Sequence, residues 1–292
     1  MRLLLAALAA SLLQAGAGPV GPVPAAPVLA PFVWRVTAPD APAGEADHLV
    51  GTLHVALGPR EVLAPELRRV LRQAEGFTME VDLGAVSPEL VARWTRSDRP
   101  EALRRALGEP AWGTLVQRCE ARGVSRDQLL GLKAWYVSLL LIPASPDPET
   151  LMDARLRREA GAAGVPPSFL ESPDDQLRAL DAVSDEEDLR QLREALEDPE
   201  RLGRELAQLE AAYRAGDLEA ISRYVFDPER LAAYPDFYEQ VFWARNRRWL
   251  PRLEQQARAR RVVVAVGLGH MLGPRGLLAA LAARGWRVAR GV

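Results

Sequence analysis

Cysteine is almost missing from this chain: Cys119 is the only one in 292 residues, so no internal disulfide can staple the fold. Cys119 falls within a helical pattern with no histidine beside it. It reads as a small buried hydrophobe, and a cysteine nucleophile is not expected. Lysine is equally scarce. Lys133 is the only lysine among 37 basic residues, which face 39 acidic ones for a formal charge of -2. The positive charge is therefore carried by arginines dispersed along helical segments. No concentrated basic stripe with interleaved aromatics is present, and nucleic acid is not an expected partner. No G-x-S-x-G elbow supports serine hydrolase chemistry. The glycines Gly267-x-Gly269-x-x-x-Gly273 carry one residue too many for the G-x-G-x-x-G dinucleotide loop.

Long apolar runs are also lacking. The stretch Leu3 to Leu13 follows Arg2 and precedes Ala15-Gly16-Ala17, and it is too short to span a bilayer as a helix. This is the architecture of a secretory signal peptide over residues 1–17. Its removal takes Arg2 with it and changes the formal charge from -2 to -3. No cysteine follows at a lipidation position. The expected mature protein is periplasmic or secreted and has no stable membrane span. Residues 18–31 carry five prolines among small residues, which is a linker composition. The folded part is expected over 32–292.

The pattern of what is present points to an α/β fold with a central, mostly parallel sheet flanked by many helices, including a helical insertion. Val262 to Val266 is an uninterrupted β-branched and small apolar run, as expected of a strand buried on both faces. Gly267-Leu268-Gly269-His270 follows it, then a helix over Gly276 to Arg284 with Gly285 as a left-handed stop. Phe32 to Val36 and His48 to His54 read as a hairpin leading into the sheet. Gly76 to Leu83 and Val165 to Leu170 read as further extended segments. Helical patterns cover Pro88 to Ile142, Leu151 to Ala160, Pro173 to Leu196, Pro199 to Arg214 and Phe237 to Arg260.

There are three histidines. Two of them, His54 and His270, close a G-x-x-H at the carboxyl end of an expected strand, where open α/β sheets place their ligands. His48 lies at a strand start and is read as an edge residue. Glu80 and Asp82 are two positions apart at another strand end, so a continuous strand would point both carboxylates to one face. Asp82 could instead cap a helix. Glu171 also follows a strand, but a helix-start acid is common and a structural role is favoured. Arg245 and Asn246 lie among Phe242, Trp243 and Trp249, and this burial demands an anionic partner for Arg245. Two imidazoles and one or two carboxylates suit a divalent transition metal with open positions for water.

In order and spacing these motifs resemble the TraB/GumN family, which includes PrgY-like proteins and is related to the Tiki metalloproteases. The similarity rests on the first G-x-x-H, the E-x-D of Glu80 and Asp82, Leu151-Met152-Asp153, Leu170-Glu171 with Gln176, Ala215-Gly216-Asp217, Arg245-Asn246 and VGLGHMLGPRGLL. It runs from about Phe32 to Val288. Tyr213 departs from it, standing where tryptophan is common.

The resemblance implies the fold of the erythromycin-esterase (EreA) and ChaN-like proteins. It further implies metal-dependent peptide cleavage. The metal, manganese, cobalt, iron or zinc, would be held by His54, His270 and Glu80. Asp82 would orient a ligand or act as base, and Arg245 with Asn246 would complete the catalytic set. The expected partner is a peptide or protein substrate. A non-catalytic protein that sequesters a peptide or signal in the same pocket is the alternative.

Overall fold

The computed structural model describes residues 32–42, 45–53, 63–142, 151–259 and 261–291. The expectations for the signal segment, the linker and His54 lie outside these residues. Six strands form one sheet: β1 (Phe32–Thr37), β2 (Asp47–Thr52), β3 (Gly76–Met79), β4 (Pro167–Phe169), β5 (Val262–Gly267) and β6 (Arg287–Arg290). Their order across the sheet is β4-β3-β5-β2-β1-β6. β4, β3, β5 and β2 run parallel, while β1 pairs antiparallel with both β2 and β6. The hairpin and the mixed, mostly parallel sheet expected from the sequence are present.

β5 lies at the centre because its sequence permits nothing else: Val-Val-Val-Ala-Val-Gly is buried at every position. A strand apolar on both sides is stable only with helices covering both faces. β5 pairs with β3 on one side and β2 on the other, and Gly267 sits opposite Thr52. The carboxyl ends of four parallel strands therefore open on one edge of the sheet.

Side-chain chemistry sets the helix boundaries. Ser87 accepts a hydrogen bond from Leu90 N–H with Pro88 at the first turn, and Asp217 accepts from Ala220 N–H after the left-handed Gly216. Ser172 and Asp175 form a reciprocal capping box, which starts the helix Pro173–Asp181 directly after β4. The helical segment expected over Pro173 to Leu196 is two helices, Pro173–Asp181 and Asp185–Glu197. The break falls at Ser184-Asp185-Glu186-Glu187-Asp188, where the apolar pattern is interrupted and Ser184 sits at the N-cap of the second helix.

The sheet core includes Leu49, Phe77, Val264, Trp249 and Leu277. Two further clusters are helical. One gathers Trp135, Leu139, Leu177, Phe237 and Phe242, and the other gathers Leu103, Trp112, Leu115, Cys119 and Leu192. Cys119 is buried as expected, and burial pushes its thiol up to about 11. Among the described residues no helix is long and apolar enough to cross a membrane.

Candidate functional site

The edge formed by the strand carboxyl ends holds a buried charge network. Glu80 immediately follows β3, and Glu171 lies two residues beyond β4. Because β3 and β4 are parallel neighbours, the two acids arrive side by side, and Glu171 N–H donates to the Glu80 carbonyl at 2.9 Å. Arg245, at the start of the helix Ala244–Ala259, reaches between them. Its Nη2 donates to Glu80 Oε2 at 2.8 Å and to Glu171 Oε1 at 2.5 Å, while Nε donates to Glu171 Oε1 at 3.0 Å. Trp249 Nε1 adds a bond to Glu171 Oε2 at 3.0 Å, and the guanidinium carbon sits 4.5 Å from the Trp249 ring centroid.

His270 completes the network. It lies on the short helix Leu268–Met271 directly after β5 and is 0% exposed. Arg245 Nη1 lies 3.1 Å from His270 Nε2, and His270 Nδ1 lies 2.7 Å from Asn246 Oδ1. A guanidinium can only donate, so Nε2 is the acceptor and the ring proton sits on Nδ1. The amide of Asn246 agrees with this assignment. Its Nδ2 donates to the carbonyls of His270 and Arg275 at 3.0 and 3.2 Å, which turns Oδ1 toward the imidazole. Arg245 Nη1 also donates to Val241 O, within the π-helical turn Tyr238–Trp243 that precedes it. Such turns are frequent at functional sites.

Burial and charge oppose one another here. Burial pushes the Glu171 carboxyl up, and the charge and hydrogen bonds of Arg245 pull it back only in part. Burial also disfavours the Arg245 cation, but Glu171 and Glu80 more than offset this and raise its pKa. Glu80 Oε1 accepts from Gly267 N–H at 2.6 Å, which ties the end of β3 to the end of β5.

The end of β2 is secured separately. Tyr213 donates from its hydroxyl to the Gly51 carbonyl at 2.7 Å, and Thr52 Oγ1 donates to Asp153 Oδ1 at 3.1 Å. A Cβ placed on Gly51 would lie 2.5 Å from Leu268 Cδ1. The glycine of the first G-x-x-H thus makes room for the leucine of the second, and strands β2 and β5 leave the sheet together.

A family model described as the TraB/PrgY/gumN family matches residues 32–290. The chain belongs to this family. No curated protein and no solved structure matches it.

In this TraB/PrgY/gumN chain the expected residues divide. Glu80, Arg245, Asn246 and His270 come together, and Arg245 has the anionic partners that its burial requires. Asp82 stands apart. β3 ends at Met79, so the two acids do not share one strand face, and Asp82 caps the 3-10 turn Leu83–Ala85 through Gly84 N–H. Its other partner is Arg157 Nη1 at 3.0 Å. His48 is half-buried at the start of β2, away from the cluster. Burial and then the charges of Arg35 and Arg69 lower its pKa to about 4. Glu171, for which a structural role was favoured, holds Arg245 through both Nε and Nη2. The signal that ties it to the cluster is its place just past a parallel strand, which it shares with Glu80.

Among the described residues no group of three or more His, Cys, Asp or Glu side chains is arranged to hold a metal ion. Of the three expected ligands, Glu80 and His270 are described, and Glu80 Oε1 lies 4.0 Å from His270 Nε2. In chemical type, one imidazole nitrogen and a carboxylate are donors that bind divalent transition metals.

Proposed function

We propose that this TraB/PrgY/gumN protein is a metal-dependent hydrolase, acting on peptide bonds in the periplasm or outside the cell. The observation that carries the reading is the fully buried His270, with its Nε2 facing Glu80 at the carboxyl edge of a parallel sheet. Open α/β sheets bind their ligands at that edge. His270 and Glu80 would hold the metal together with His54, which closes the matching G-x-x-H after β2. A bound divalent metal supplies Lewis acidity and a hydroxide available near neutral pH.

The chain's own residues do the rest. Asn246 Oδ1 accepts the Nδ1–H bond of His270 and so keeps the Nε2 lone pair directed into the site. Arg245 would offer its positive charge toward negative charge that develops on a cleaved carbonyl. Gly267 N–H orients Glu80, and Trp249 orients Glu171.

The test is turnover of a peptide library with and without added manganese, cobalt or zinc. Metal-stimulated cleavage by the wild type, lost in both His270→Ala and His270→Gln with native far-UV circular dichroism, is the expected result. Metal-independent cleavage, or full activity in either variant, would rule the reading out. A second reading is supported by the way Arg245 neutralises both carboxylates from within: the same centre then serves a binding protein that sequesters a peptide. It predicts saturable peptide binding without turnover.

A further inference from the structure

The three donors Glu80, Glu171 and His270 already surround a cation, and that cation is Arg245. Its guanidinium donates to both carboxylates, with Nη2 at 2.8 Å from Glu80 Oε2 and 2.5 Å from Glu171 Oε1. Nη1 occupies the lone pair of His270 Nε2 at 3.1 Å. The side chains of all three partners are at most 8% exposed, and that of Arg245 is 3% exposed. Asn246 Oδ1 holds the ring proton on Nδ1, so the Nε2 lone pair is the one that faces the guanidinium. A metal approaching His270 Nε2 therefore meets an N–H donor already in place.

We propose that Arg245 is an internal competitor for the metal: an ion binds at His270 and Glu80 only when the guanidinium releases them, and Glu171 then holds the displaced arginine. This rests on the metal-dependent reading above. Two features make the displacement local. Glu171 contacts Arg245 through Nε as well as Nη2, and Trp249 holds the far oxygen of Glu171, so this pair survives loss of the other two contacts. The remaining contact, Nη1 to Val241 O, is to a π-helical turn, whose hydrogen bonding differs from that of the helix it joins.

The experiment measures zinc and manganese binding separately by equilibrium dialysis of the full chain, for the wild type and for Arg245→Met. Arg245→Met is expected to bind either metal about tenfold tighter or more, since the ion no longer breaks a charge-assisted hydrogen bond. The gain should disappear in the Arg245→Met, His270→Ala double variant. Equal affinity of wild type and Arg245→Met overturns the competition and leaves the metal reading standing. No binding by either protein overturns both. Should Arg245→Met fail to fold, zinc titration of the wild type followed by arginine side-chain NMR decides. The guanidinium signals of Arg245 are expected to shift in proportion to bound zinc, and unchanged signals at full zinc occupancy would overturn the proposal.

Discussion

Removing the Glu171 carboxylate would leave Arg245 with Glu80 alone and Trp249 Nε1 without its acceptor. A buried ion pair is weak evidence for net stability, but breaking one from a single side is costly, about 3–5 kcal/mol, because an uncompensated charge stays behind. Glu171→Ala is therefore expected to lower the unfolding free energy by about that amount in urea titration. A loss below about 1 kcal/mol would place Glu171 outside the network's energetics. At this scale the sequence was informative where burial forced a choice. Arg245, set among Phe242, Trp243 and Trp249, had to find an anion, and it does. It was uninformative where two bland roles competed. Glu171 and Asp82 each follow an extended segment and precede a helical turn; only pairing of β3 with β4 puts Glu171 beside Glu80, while β3 stops before Asp82 can follow it.

Among the elements, β3, β4 and β5 deliver the described network, and β2 leaves the sheet beside β5 at Gly51. Gly51→Ala puts a methyl group into Leu268 Cδ1, and overpacking of this kind costs about 1–3 kcal/mol. Thermal unfolding should show the loss, and an unchanged transition would mean that Leu268 rearranges freely. The other end of β2 carries a pH dependence. Asp47 Oδ1 accepts from Val262 N–H at 2.8 Å, and burial raises its pKa from 3.8 to about 7 despite that bond. The folded state keeps this proton longer than the unfolded chain does. Its contribution to stability is complete below 3.8 and is lost as the pH rises to about 7. Asp47→Asn preserves an acceptor and removes the charge. Its melting temperature relative to wild type should improve by about 2–4 °C between pH 5 and pH 8, the shift that corresponds to about 1 kcal/mol in a domain of this size. A pH-independent difference would contradict the assignment. The strands were legible from composition and alternation, and β5 was clearest because nothing polar interrupts it. The break between the helices Pro173–Asp181 and Asp185–Glu197 was legible too, in the polar run Ser184 to Asp188 that interrupts the apolar pattern, but the expected helical segment spans it.

For the molecule as a whole, the fold brings together residues that lie at opposite ends of the sequence, and it does so through the parallel order β4-β3-β5-β2. Order and spacing of weak motifs indicated the family, and the match over residues 32–290 establishes it. What the motifs could not convey is that the centre carries its own cation, because a contact between Arg245 and His270 depends on the packing of a helix against the sheet edge. Metal binding at this edge through His270 is the central proposal. It is tested most directly by elemental analysis of the full chain after equilibration with manganese, cobalt, iron or zinc and removal of free ion. About one metal per chain is expected in the wild type at pH 7.5, and none in folded His270→Ala. Metal content that is negligible in the wild type, or equal in wild type and His270→Ala, would contradict it.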